Sequence, residues 1–133
     1  MKGQEANEDK TQVRGPSQSL KKIPERFQAS VVIVQGYAEG MEYLLTREYT
    51  VIGRDKEADI ALKDSLVSRR HVAILYRDGN YTLKDLESTN GTRMSGTLIK
   101  QADLRHGDKF RVGNTTLQFI LEDTGGGKVY ELK

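Results

Sequence analysis

HVAILYRDGNYTLKDL, residues 71–86, is the stretch that decides the fold. HVAILY (71–76) is an apolar, strand-like run that ends at the turn Asp78-Gly79-Asn80, and NYTLKDL (80–86) follows directly. Two such runs joined by a tight Asp-Gly-Asn turn form a β-hairpin. The same pattern continues outward in both directions. YTVI (49–52) ends at Gly53, and Gly36 and Gly40 bracket a turn between VVIVQ (31–35) and MEYLLT (41–46). On the other side, KFRV (109–112) puts Phe110 and Val112 on one face and Lys109 and Arg111 on the other. TTLQFIL (115–121) alternates with Leu117, Phe119 and Leu121 together, and VGNT between the two runs makes a second hairpin turn. Strands recurring about every ten residues, with no sustained helical period, mark an all-β chain built as an antiparallel β-sandwich. EADIALKDSL (57–66) fits no clean alternation and leaves room for a short helix.

The chain has 133 residues, which suits one domain, and a 36% hydrophobic share is enough for a thin β core. There is no cysteine, which excludes a disulfide framework, a thiol nucleophile and a zinc–thiolate site. Two histidines, His71 and His106, do not build a catalytic metal centre by themselves, and no cofactor is expected. No apolar run approaches the ~18 residues of a membrane span, and MKGQEANEDK lacks a signal-peptide core, so a soluble, cytoplasmic protein without membrane contact is expected. Residues 31–133 hold 15 basic and 15 acidic residues, which argues against nucleic acid as a partner. Residues 1–30 carry both prolines and few large apolar side chains, the composition of a flexible N-terminal tail. The expected organisation is tail 1–30, domain 31–123 and a Gly-rich C-terminal tail or linker 124–133, whose GGGK lacks the flanking residues of a phosphate loop.

The unusual residues cluster in the connections. Gly53-Arg54 lies at a strand end, Ser68-Arg69-Arg70-His71 at a strand start, and Ser88-Thr89-Asn90-Gly91-Thr92 after the hairpin. Loops at one end of a sandwich gather into a common surface even when far apart in sequence. Such a surface would suit a phosphate on an extended peptide. A phosphate monoester carries about −1.5 to −2 charge and three acceptor oxygens. Arg offers a rigid donor fork for them, and a serine hydroxyl a compact third donor. An asparagine amide can hold a peptide N–H and C=O together, although Asn90 before Gly91 is also what a tight turn demands. No base is paired with a nucleophile, so the set binds without reacting and no enzyme is expected.

Gly-Arg (53–54), Ser-Arg-Arg-His beginning fourteen residues after the Arg, and Ser-Thr-Asn-Gly-Thr beginning seventeen after His71 together resemble the forkhead-associated (FHA) family. The resemblance covers about residues 31–122. It implies a sandwich of about eleven strands that recognises phosphothreonine in partner proteins. By that resemblance Arg54 and Ser68 bind the phosphate, and Arg69 and Arg70 assist the phosphate or the peptide backbone. Thr89 lines the pocket and Asn90 holds the peptide main chain, while Gly53, His71 and Gly91 support the site. Leu66 and Val67 stand in the loop that reads the peptide further on.

Thr11, in NEDKTQVRG, is a candidate phosphorylation site for a Ser/Thr kinase. Some bacterial members of the family carry such a threonine in a tail that folds back into their own site. A flexible chain of the length from Thr11 to Val31 spans roughly 22–27 Å root-mean-square, and its effective concentration is on the order of millimolar. The expected partners are therefore a phosphothreonine protein, or the chain's own phosphorylated tail in cis or on a neighbour. An alternative expectation is the regulatory input domain of a longer enzyme such as a diguanylate cyclase.

Overall fold

Alternating apolar side chains need a facing surface to cover them, and two sheets packed face to face supply it. The computed structural model describes residues 27–124. Among them the elements are β1 (Phe27–Gln35), β2 (Glu42–Leu44), β3 (Tyr49–Gly53), β4 (Ile60–Ala61), β5 (Val72–Arg77), β6 (Asn80–Asp85), β7 (Thr92–Met94), β8 (Thr97–Ile99), β9 (Gln101–Leu104), β10 (Lys109–Val112) and β11 (Thr115–Asp123). The first sheet has the order β2-β1-β11-β10-β7-β8 and the second β4-β3-β5-β6-β9. Pairing is antiparallel except between β3 and β4, which run parallel. The architecture is the expected β-sandwich, with that one parallel edge added.

The core lies between the inner faces. Val31, Ile33, Phe110, Val112, Leu117 and Phe119 come from the first sheet; Ile52, Val72, Ile74 and Leu83 come from the second. Phe119 is fully buried and meets Tyr81 at a ring separation of 4.9 Å; Tyr81 in turn meets Tyr76 at 4.8 Å. The expected 71–86 hairpin forms, with Arg77 opposite Asn80 and both Asp78 (φ 52°) and Gly79 (φ 85°) left-handed. That is the primed-turn geometry whose twist matches its strands.

Three details refine the expectations. Within the described residues β1 already includes Phe27–Ser30, because β11 runs on to Asp123 and β1 pairs with it, burying Ala29 and Ser30. The 57–66 segment, whose sequence leaves room for a short helix, forms none. Ile60, Leu62 and Asp64 are all buried at a spacing of two, which is strand periodicity once a carboxylate is counted as inward-facing. Lastly, β7, β8 and β9 were not marked by alternation: of their residues only Thr92 and Leu104 are buried. The Ser95-Gly96 turn (φ 52° and 79°) between β7 and β8 is their one clear signal.

Asp64 faces inward because it is satisfied there. Its carboxylate accepts from the Thr115 hydroxyl (2.8 Å), Asn114 N–H (2.8 Å) and Leu66 N–H (3.0 Å). It thereby ties the β4–β5 loop to the β10–β11 turn. Burial pushes this carboxyl up, but the three hydrogen bonds outweigh burial and hold it below its ordinary value of 3.8.

Phe119→Ala should cost about 3–5 kcal/mol, read from urea denaturation, because it removes a fully buried ring and leaves a cavity beside Tyr81 between the sheets. Asp64 makes stability pH-dependent. Its folded pKa lies below the unfolded one, so the native state binds fewer protons, and the contribution is complete above about pH 4. It is lost as pH falls through the folded value. A urea midpoint that falls below pH 4 in the native protein, and falls less in Asp64→Asn, is the expected result.

Candidate functional site

Three loops meet at one end of the sandwich: β3–β4, β4–β5 and β6–β7. Their approach is closest where β3 ends. Arg54 N–H donates to Ser68 C=O (2.9 Å) and Asp55 N–H to Arg69 C=O (3.2 Å), so the first two loops are zipped backbone to backbone. Gly53 permits this. A Cβ there would collide with the Arg69 carbonyl oxygen, a backbone atom that has no room to move.

His71 joins the third loop. Its ring is fully buried. Nδ1 accepts the Ser68 N–H at 3.0 Å, so the proton sits on Nε2, which donates to Gly91 C=O at 2.8 Å. Both ring nitrogens are thus committed to loop backbone. Gly91 itself is left-handed (φ 83°) and lies against the Leu98 side chain.

A second fastening holds the β6–β7 loop from within. The Asp85 carboxylate accepts from the Ser88 hydroxyl (2.6 Å), Ser88 N–H (3.0 Å) and the Thr92 hydroxyl (2.7 Å), and Ser88 Oγ accepts from Gly91 N–H (2.9 Å). Burial raises the Asp85 pKa, yet these bonds outweigh it and hold the carboxyl below its ordinary value. Asp85 was not among the sequence-based candidates. Its signal was the Asp-x-x-Ser spacing at a strand end, where a short acidic side chain caps the next turn's N–H groups.

These fastenings leave a set of polar groups facing outward. Arg54 uses Nε on the Val67 carbonyl (2.9 Å), which fixes the guanidinium while its two terminal nitrogens stay open. Ser68 Oγ accepts from Thr89 N–H (3.0 Å), leaving its own proton to donate. Asn90 donates one amide hydrogen to Leu66 C=O (2.9 Å), keeping its carbonyl oxygen and second hydrogen. Arg69 and Arg70 are exposed, and their side chains make no hydrogen bond among the described residues. Arg54, Ser68, Thr89 and Asn90 are therefore linked through one hydrogen-bonded surface, with Arg69 and Arg70 on the loop beside it. Thr11 lies outside the described residues. An array of cationic and hydroxyl donors with their geometry already set favours an anion with several acceptor oxygens.

His71→Ala would orphan the Ser68 N–H and the Gly91 carbonyl and open a cavity. A loss of about 2–4 kcal/mol in chemical denaturation is expected.

The FHA domain family model matches residues 50–113. The chain is 37% identical over 90 residues to an oxoglutarate dehydrogenase inhibitor of Corynebacterium diphtheriae, a match covering 68% of this chain and 63% of that protein. It is 34% identical over 92 residues to the glycogen accumulation regulator GarA of Mycolicibacterium smegmatis, covering 69% of this chain and 58% of the relative. The chain thus spans about three-fifths of the length of these curated relatives. A domain solved in a structural and functional analysis of phosphothreonine-dependent FHA domain interactions superposes with a TM-score of 0.65 at 31% identity, over 70% of this chain and 95% of that one. With the sandwich, the three-loop surface and this near-complete coverage of a solved domain in agreement, the chain belongs to the forkhead-associated (FHA) family.

Proposed function

We propose that this chain is a phosphothreonine-dependent protein-binding module of Ser/Thr kinase signalling, acting by binding rather than by catalysis. One observation carries the reading: Arg54 and Ser68 are each fixed by a hydrogen bond to loop backbone while keeping free donors. Those donors belong to the phosphate. Arg69 and Arg70 add charge to the phosphate or the peptide backbone, Thr89 borders the phosphothreonine, and Asn90 holds the peptide main chain. Gly53, His71 and Gly91 shape the loops. A hydrolytic role for His71 is disfavoured, because both its nitrogens are spent on Ser68 and Gly91. The names of the matched relatives, an inhibitor and a regulator, favour a regulatory binding protein over the input domain of a cyclase.

The partner is a protein phosphorylated on threonine by a Ser/Thr kinase, and the chain's own Thr11 is a candidate for that role. Phe27 and the Gly113-Asn114 turn lie at opposite ends of the first sheet, so the tail enters the domain at the end away from the site. Crossing β1 from Phe27 to Gln35 covers roughly 27 Å. The sixteen residues from Thr11 to Phe27 extend to about 53 Å, so a phosphorylated Thr11 reaches the site of its own chain and closes it to other ligands.

Hydrogen bonds to charged groups contribute roughly 1.5–3 kcal/mol each. Loss of two with the phosphate then weakens binding by about 10²–10⁴-fold. Calorimetric titration of the full chain with a phosphothreonine peptide and its unphosphorylated twin should show that gap. Arg54→Ala should cost about 10–100-fold on the phosphopeptide alone. Equal affinity for the two peptides would overturn the proposal.

A further inference from the structure

On the outward face of the first sheet, Arg93 of β7 stands directly opposite Arg111 of β10. Directly opposed like charges destabilise a sheet. Both residues are exposed, and neither makes an ion pair among the described residues. Lys109, two residues before Arg111 on β10, continues the charge on the same face. Arg111 uses Nε on the Gly113 carbonyl (3.0 Å), which draws its guanidinium toward the end of the sheet where the loops gather. The other cross-strand neighbour of Arg93 is Leu98, 58% exposed, whose side chain covers Gly91. The row Leu98–Arg93–Arg111 therefore begins at the Asn90-Gly91 turn and runs away from it across three strands. It is an unneutralised basic row continuous with the phosphate-facing surface.

We propose that this row binds the acidic segment Gln4–Asp9 of the chain's own tail while phosphorylated Thr11 occupies the adjoining site. This rests on the proposed function of that site. In QEANEDKT (4–11), Glu8 and Asp9 stand three and two residues before Thr11, and Glu5 lies further out. On the other side of Thr11 the first charge is Arg14, and no acid occurs before Glu25. Lys10 adjoins Thr11, but the flank before it carries three acids, so the N-terminal side is the one that suits a basic surface. The lengths agree as well. Arg93 is three residues from Asn90, at most about 10 Å along the chain, and Glu8 reaches about the same distance from Thr11. The carboxylates thus fall within reach of Arg93 and Arg111, and the row selects a phosphothreonine preceded by acidic residues.

The test uses the full chain carrying Thr11→Ala, Glu5→Gln, Glu8→Gln and Asp9→Asn, so that its own tail does not compete. Two peptides of residues 4–17, both phosphorylated at Thr11, are titrated: the native sequence and a twin with Glu5, Glu8 and Asp9 made neutral. Arg93→Gln with Arg111→Gln should weaken the native peptide about 3–20-fold, an effect that shrinks at 0.5 M salt. The same pair of changes should leave the neutral twin unaffected, and the thermal midpoint should hold or rise once the like charges are gone. Equal binding of the native peptide to both proteins, with Arg54→Ala still weakening it about 10–100-fold, overturns the row and leaves the phosphate site standing. Equal losses for both peptides overturn it too, since the arginines would then act on the fold or the phosphate. Failure of both Thr11 phosphopeptides overturns the row and Thr11 as a ligand, while binding of a phosphothreonine peptide of another sequence keeps the phosphate site standing.

Discussion

The buried imidazole of His71 is the contact on which the binding surface depends. The β4–β5 and β6–β7 loops come from different strand pairs, and their open backbone groups are of opposite kinds: a donor at Ser68, an acceptor at Gly91. A single side chain with an acceptor and a donor on opposite edges of a rigid ring satisfies both. Buried, the ring cannot exchange these bonds for water, so the spacing between the loops is set by its width. Ser68, three residues before His71, and Asn90, one residue before Gly91, inherit that spacing. The surface is consequently arranged before any ligand arrives, which lowers the ordering cost of binding.

Loops have no ladder to take up their N–H groups, and here carboxylates take that part. Asp64 gathers donors from β4–β5 and β10–β11, while Asp85 gathers them from the turn that carries Asn90. Each lies under the loop surface, anchored by hydroxyl and backbone donors, so its negative charge is spent locally. The arginines above are left to face outward. The end of the sandwich is thus layered, with anions below holding the shape and cations above offering it.

Much of this was legible in the chain because core strands and binding loops leave different marks. Seven strands announced themselves by runs or alternation, and each of them formed; all but β2, whose Tyr43 alone is half-buried, present buried side chains to the core. The three strands across 92–104 stayed hidden because they are short and half-exposed, which leaves little periodicity to find. The 57–66 segment showed no clean alternation because one of its inward residues, Asp64, is polar, and two of its partners lie about fifty residues away at Asn114 and Thr115. Arg54, Ser68 and Asn90 stood out as a set of residue types in order. Their exact supports did not, since no spacing in the sequence tells that Ser68 Oγ meets Thr89 N–H, or that His71 spans to Gly91. The placement of Thr11 is a matter of the tail, whose residues precede Phe27.

A net charge of +2 conceals how unevenly the charge is distributed. The Arg93–Arg111 pair makes the point most clearly. A sheet gains from opposite charges across a pair of strands and loses from like ones, and at an exposed position many neutral residues would pair without that penalty. Local rules are commonly broken where a site needs the breach, with stability supplied elsewhere. Here the rest of the fold carries the cost easily: the paired strands lie over Phe110 and Val112, both buried, so repulsion on the outer face is opposed by packing on the inner one. Two unneutralised guanidinia beside a phosphate-facing turn also extend the positive field beyond the site itself. Such a field guides an acidic segment toward the surface before any close contact forms, and it discriminates against basic flanks through repulsion. Placing the charge on a strand rather than a loop keeps it at a fixed distance from Asn90, so the row measures the spacing between a phosphate and its neighbouring acids.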